Sequence, residues 1–277
     1  MPSGARETPV PADGDIASYQ LIGKVDGAGE VYEAHHPRFS VPFVIKLFPR
    51  AAVEGPEAIK AFGREAGRVS ILRHPHIVHV LDSGVLVDRT PFLAMERLTG
   101  QSLEERLAQQ GAVPLPQLLP ILRGIVSALS AAHAAGVFHR EIRADNVFLA
   151  DHADGGAGVA KVLDFGVSQL TWAAHAAARG VGATAARYLA PEQVLGALTA
   201  VDARTDVFAL AALTYRMLSG VDAFPAAITA NTLDNWAANR PRPVIPSVRG
   251  VSAVDAVLYK AMEKHPDNRY PSVAAFY

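Results

Sequence analysis

Twelve consecutive residues, Val207 to Leu218, are apolar nearly all the way round a helix. A helix without a polar face has no side to give to water, so it predicts the buried centre of a large helical lobe. Helical periodicity dominates from Ser102 onward, with Leu118, Leu122, Ile125 and Leu129 forming one apolar stripe. The chain before it reads differently. Between Tyr19 and about Met95 the β-branched or aromatic runs Val31-Tyr32, Phe43 to Phe48 and Pro91 to Met95 are bounded by Gly and Pro, which predicts strands. One helix interrupts them at roughly residues 56–72, with Phe62, Ala66 and Val69 on one face. The expectation is an α+β architecture, a small antiparallel β-rich lobe with one helix and then a larger, mostly helical lobe.

Bulk properties remove several classes of function. The 277 residues, half of them hydrophobic, suffice for one large domain or two small ones. A formal net charge of -1 gives no electrostatic reason to expect nucleic acid or an anionic membrane as partner. Without cysteine there is no disulfide, thiolate zinc site or cysteine nucleophile. Residues 1–18 contain Pro, Gly and mixed charges but no apolar run, and read as a mobile tail. The longest apolar stretch, Leu115 to Val137, is broken by Pro116, Pro120 and Arg123 and contains His133, so no membrane span is expected. The cytoplasm is the simplest compartment.

Lys46 lies in the middle of an apolar strand, where a lone ammonium is costly to bury. Glu65 follows Phe62 by three residues and precedes Val69 by four, on the inward face of its helix. Pairing the two removes both anomalies. The bland alternative is a snorkelling Lys and a rim Glu.

Further along stands Val137-Phe138-His139-Arg140-Glu141-Ile142-Arg143-Ala144-Asp145-Asn146, and eighteen residues after Asn146 comes Asp164-Phe165-Gly166. Ala190-Pro191-Glu192, Asp202-Ala203-Arg204-Thr205-Asp206 and His265-Pro266 with Arg269-Tyr270 complete the set. In this order, from Tyr19 to Tyr277, the chain resembles the bacterial Ser/Thr protein kinases. The resemblance implies a bilobal kinase-like domain over 19–277: N-lobe about 19–95, hinge about 96–98, C-lobe about 99–277. It implies ATP and Mg²⁺ as cofactors, with Asn146 and Asp164 as metal ligands and Lys46, paired with Glu65, on the α and β phosphates. Met95 would be the gatekeeper beside the adenine, the backbone of Glu96-Arg97-Leu98 would read the base, and Val31, Val44 and Phe148 would wall it. Asp206 would brace the catalytic-loop backbone, and Glu192 would form a buried ion pair with Arg269.

The departures from the family pattern bear on activity. Counting back from Val31, the glycine positions of the family's Gly-x-Gly-x-x-Gly loop are Lys24, Asp26 and Gly29; a one-residue shift recruits Gly23 or Gly27 instead. An ordinary hairpin turn without phosphate contact is the other reading of this segment. Asp26 would put a carboxylate beside a polyanion unless Lys24 or the metal offsets it. Glu141 replaces the catalytic Asp with similar basicity but one methylene more, and about 1 Å of misplacement can cost on the order of a hundredfold in rate. Arg143 stands where Ser/Thr kinases usually have Lys against the γ-phosphate. The hydroxyl of the Gly-Thr-x-x-Tyr segment is displaced to Thr184, and Ser168 and Thr171 are the other hydroxyls between Gly166 and Ala190 besides Tyr188.

Two classes of function follow: a nucleotide-binding pseudokinase that scaffolds a signalling partner, toward which the departures lean, and an active Ser/Thr kinase that phosphorylates a protein substrate with Glu141. His74, His76 and His79 lack carboxylate or thiol companions, which disfavours zinc. His35-His36 reads as a solvated loop pair. The C-terminal Tyr277, where the family would begin or continue a final helix, suggests the cytosolic domain of a longer protein.

Overall fold

The computed structural model describes residues 19–25, 30–36, 39–86, 88–151, 158–165, 187–196, 201–224, 241–244 and 252–277. Five antiparallel strands build the small lobe: β1 (Gln20–Lys24), β2 (Val31–His36), β3 (Phe39–Leu47), β4 (Val80–Val85) and β5 (Pro91–Glu96). They lie in the order β1-β2-β3-β5-β4. The helix α1 (Pro56–Ser70) starts with Pro at its first position and turns Phe62, Ala66 and Val69 inward.

The register sorts the two faces of this sheet. Val31 pairs with Lys46, Lys46 with Leu93, and Val44 with Met95. Side chains alternate along a strand, so Val31, Val44, Lys46 and Met95 share one face. The other face carries Ala34, Phe43, Ile45, Phe92 and Ala94, which bury a small core of their own with Tyr19. His36 belongs to that side. It is buried in β2 with its ring 5.0 Å from that of Tyr19, which corrects the expectation of a solvated loop pair.

The large lobe begins with a three-stranded sheet, β6 (Gly100–Ser102), β7 (Val147–Ala150) and β8 (Val159–Val162). Gly100 has φ +129°, and a Cβ there would stand 2.1 Å from the Leu149 carbonyl oxygen, so only glycine lets β6 approach β7. The helices are α2 (Leu103–Gln110), α3 (Leu115–Ala134), α4 (Pro191–Val194), α5 (Ala203–Ser219), α6 (Ala253–Ala261) and α7 (Val273–Phe276). α5 contains the all-round apolar run and buries Val207 to Tyr215 without interruption. Asp202 caps its first turn and Gly220, in the left-handed region, ends it.

Among the described residues α3 is long and apolar enough to cross a membrane by length and composition. It runs through Pro116 and Pro120, so interruption is not what argues against a span. Packing is: Leu118, Leu122, Ile125, Leu129 and Ala132 lie in the large core with α5 and α6.

The lobes join through residues 74–80. Val78 N–H donates to the Val162 carbonyl at 3.0 Å and Val162 N–H to that of His76 at 2.8 Å. His76 Nδ1 is 2.8 Å from the Ala160 carbonyl and His74 Nε2 is 3.0 Å from Ser127 Oγ. These histidines pin the small lobe to β8 and α3.

Candidate active site

The loop expected to carry catalysis, residues 137–146, is held by a buried carboxylate. Asp206, at the start of α5, is fully buried and accepts the backbone N–H groups of His139 at 2.8 Å and Arg140 at 2.6 Å, with His133 Nε2 at 2.7 Å. Burial alone would raise its pKa, but His133 and the other donors hold it below the usual carboxylate value. The loop can then turn sharply at Arg140, whose φ is +69°. His139 is buried, which keeps it neutral and lowers its pKa. Its Nδ1 receives the Glu141 N–H at 3.2 Å, so Nε2 is the protonated nitrogen and donates to the Leu163 carbonyl at 2.7 Å. The His139 ring meets Phe165 edge to face at 4.7 Å. One histidine thus locks residues 139–141 against residues 163–165.

That lock brings the expected metal ligands to neighbouring strands. Asn146 Nδ2 donates to the Glu141 carbonyl at 2.9 Å, which leaves its side-chain amide oxygen, Oδ1, to face a cation. The Leu163 N–H donates to the Asn146 carbonyl at 2.9 Å, which places Asp164 next in line, with φ +60°. An amide oxygen and a carboxylate are hard oxygen donors of the kind Mg²⁺ takes. This donor set fits the ion.

Glu141 is 21 % exposed, and its carboxylate lies 3.4 Å from Arg143 Nε. Burial pushes its pKa up; Arg143 and Lys46 pull it down, while Asp164 and Asp145 raise it further. Arg143 is shared, with its Nη1 2.9 Å from Asp145 Oδ2. The longer side chain is therefore turned into an ion pair with its own loop.

The expected Lys46–Glu65 pair is not formed. Lys46 Nζ instead engages Asp164 Oδ2, and Glu65 takes Arg68 Nη1 of its own helix at 3.3 Å. The Asp164 side chain is 10 % exposed and that of Glu65 25 %. The more deeply buried carboxylate has the greater need of a cation, so it captures the lysine.

The residues expected to bind the base fall as the register places them. Val31 and Val44 are half-buried and Met95 buried on the Lys46 face, and Phe148 in β7 is half-buried in the large lobe. Leu98 packs partly against the large core. Glu96, expected in the hinge, is the last residue of β5. Its N–H donates to the His79 carbonyl at 3.0 Å. Lys24 is exposed and paired with Glu30 at 2.6 Å. Asp26, Gly27, Gly29, Gly166, Ser168, Thr171 and Thr184 lie outside the described residues.

Behind the loop, Glu192 and Arg269 form a two-pronged pair at 2.9 and 2.8 Å, both buried, with Thr205 Oγ1 donating to Glu192 at 2.7 Å. Gln193 Nε2 donates to the Arg140 carbonyl at 2.7 Å and so ties α4 to the catalytic loop. Arg187 and Arg216 share Asp222, at 2.5 and 3.3 Å, and Arg216 Nη1 donates to Tyr188 Oη at 2.8 Å.

One residue beyond those expected belongs to the site. Lys161 in β8 reaches Glu96 Oε1 at 2.7 Å. Its sequence signal is that of Lys46, a lysine inside an apolar run, Val159-Ala160-Lys161-Val162-Leu163.

Comparison with known proteins places this geometry. The family model "Protein kinase domain" matches residues 18–270. The chain is 33% identical to the serine/threonine-protein kinase Pkn1 of Myxococcus xanthus, over 94% of this chain and 37% of that protein. It is 31% identical to PknB of Mycobacterium leprae, over 90% and 40% respectively. It thus spans well under half the length of these two relatives. The crystal structure of the Mycobacterium tuberculosis PknI kinase domain superposes with a TM-score of 0.73 at 26% identity, covering 96% of this chain and 97% of that one. With a sheet of five antiparallel strands under a helical lobe and a matching model over most of its length, this chain belongs to the protein kinase domain family, among relatives that are bacterial serine/threonine kinases.

Proposed function

We propose that this domain binds ATP with Mg²⁺ and transfers the γ-phosphate to protein hydroxyls poorly or not at all, acting chiefly as a nucleotide-responsive module that engages a signalling partner. The observation that carries this reading is Glu141, whose carboxylate is paired with Arg143 at 3.4 Å instead of standing free over the cleft. To accept or orient a hydroxyl proton, it would have to do so with its other oxygen, Oε2, on a side chain one methylene longer than the family's Asp and drawn toward Arg143.

Nucleotide binding is supported by the cleft. Val31, Val44, Lys46 and Met95 share a face of the small-lobe sheet, Phe148 would wall the base from the large lobe, and Asn146 and Asp164 would hold the metal. When bound, Mg²⁺ neutralises charge on the β and γ phosphates. Lys46 engages one oxygen, Oδ2, of the carboxylate that would also hold the metal, so a bound cation would weaken the Lys46–Asp164 pair. Released from Asp164, Lys46 would be available to phosphate and to Glu65.

A second reading, an active Ser/Thr kinase with Glu141 as base, is favoured by the intact frame of Asp206, His139 and Asn146. That frame keeps the loop backbone in its working shape whatever the length of residue 141. Thermal-shift titration with ATP, with and without Mg²⁺, tests nucleotide binding, because a ligand of the folded state raises the melting temperature above its Kd. A shift dependent on Mg²⁺ is expected. No shift at millimolar ATP in either condition would overturn the reading.

A further inference from the structure

The segment that would read the base is a strap of three residues, Arg97, Leu98 and Thr99, between two fixed ends. At its far end the Thr99 carbonyl accepts the Asp151 N–H at 2.8 Å and Gly100 is paired with Ala150 in the β6–β7 ladder. At its near end Glu96 is fixed twice to His79, by its own N–H at 3.0 Å and by its carboxylate, which accepts the His79 N–H at 2.8 Å. The same Oε1 takes Lys161 Nζ at 2.7 Å. Lys161 belongs to β8 of the large lobe, so this contact crosses from one lobe to the other at the back of the strap.

The register adds a second connection. Lys161 stands directly opposite Phe148 in the β7–β8 ladder. Residues opposite each other in an antiparallel pair project on the same face, so the stem of Lys161 flanks Phe148, the residue expected to floor the cleft, while its ammonium holds the strap. Both ends of the contact are withdrawn from water, with side chains 17% exposed at Lys161 and 31% at Glu96. The neighbouring Val162 is bonded twice to the segment that crosses between the lobes, since its N–H donates to the His76 carbonyl and its carbonyl accepts the Val78 N–H. β8 therefore offers a rigid mount.

We propose that Lys161 is a positioning residue for the nucleotide base. By joining Glu96 to the strand that carries Phe148, it sets the width of the slot between strap and floor and holds the strap's backbone groups in register with an adenine edge. This deepens the nucleotide-binding reading above and rests on it.

The test compares the parent with Lys161→Met and Lys161→Arg by calorimetric titration with ATP–Mg²⁺ and GTP–Mg²⁺, and by amide hydrogen exchange at residues 97–99 in the nucleotide-free protein. Lys161→Met is expected to weaken ATP binding about tenfold, the scale of a hydrogen bond between charged groups, and to erode the preference for ATP over GTP. It is also expected to speed exchange at residues 97–99, whereas Lys161→Arg keeps all three parental values. Parental affinity, base preference and exchange in Lys161→Met would overturn the proposal. A parent that binds no nucleotide defeats the functional reading, and exchange at residues 97–99 then still decides whether Lys161 holds the strap. Should Lys161→Met fail to fold, Glu96→Gln, which keeps the carbonyl toward His79 but loses the charge, is expected to give the same losses, and parental behaviour in it overturns the proposal.

Discussion

The ion pairs behind the catalytic loop and those in front of it are built differently. Glu192–Arg269 and the Asp206 cluster are buried, multiply bonded and closed to water. Lys46–Asp164, Arg68–Glu65 and Lys24–Glu30 are single contacts; Arg68, Lys24 and Glu30 are exposed, and Lys46 is 27% exposed beside a buried Asp164. A buried pair cannot exchange partners without stranding a charge, whereas a half-exposed pair can, because water covers the interval. The large lobe therefore fixes the loop's shape, and the small lobe's side of the cleft keeps the less buried charges, which the proposed nucleotide would rearrange. The departures at Glu141 and Arg143 lie on the boundary between these two regions.

Breaking the rear frame should have the largest effect. Arg269→Ala leaves Glu192 buried with only Thr205 as a partner, and is expected to cost about 3–5 kcal/mol. A large fall in melting temperature without nucleotide checks it; parental stability would place the pair outside the folded frame. Next comes the front of the cleft. Lys46→Ala or Asp164→Ala should abolish most of the ATP–Mg²⁺ thermal shift, up to about 2.7 kcal/mol at a hundredfold excess over Kd. The melting temperature without nucleotide should move far less than in Arg269→Ala, and equal losses would erase the distinction between the two regions.

A smaller effect is expected from pH. Burial holds His139 below its ordinary value of 6.5, so the folded protein keeps it neutral while the unfolded chain takes up a proton as pH falls through 6.5. Stability present above that pH is then lost on acidification, by up to about 1.4 kcal/mol per pH unit. Melting scans from pH 7.5 to 5.5 check this. They are best made in Glu141→Gln, because the raised pKa of Glu141 acts in the opposite direction. Stability that stays flat or rises toward pH 5.5 would contradict it. Smallest of all, Arg68→Ala removes an exposed helical pair worth about 0.2–0.5 kcal/mol and should leave the thermal midpoint almost unchanged.

The architecture is legible in the sequence where a pattern repeats along an element. The all-round apolarity of α5 and the stripe of α3 announce a buried helical lobe. β1 and β4 are short and partly polar and β7 and β8 are only four residues each, so none gives such a signal and all are made by their neighbours in the sheets. In the site, the resemblance locates the residues but not their partners. Lys46 announces that it needs a carboxylate, and the sequence offers Glu65 and Asp164 as candidates. Burial chooses between them, and burial is a property of the packed molecule. Lys161 sends the same signal from its own apolar strand, but its partner Glu96 is 65 residues away on a strand of the other lobe.

The most direct measurement is γ-phosphate transfer to a generic basic protein at saturating ATP–Mg²⁺, by the parent and by Glu141→Asp. Shortening the side chain removes the reach to Arg143 and restores the family's geometry. Transfer is predicted to rise by about one to two orders of magnitude with nucleotide affinity unchanged. Robust transfer by the parent, equal to or above that of Glu141→Asp, would contradict the account and make Glu141 an adequate base in its own setting.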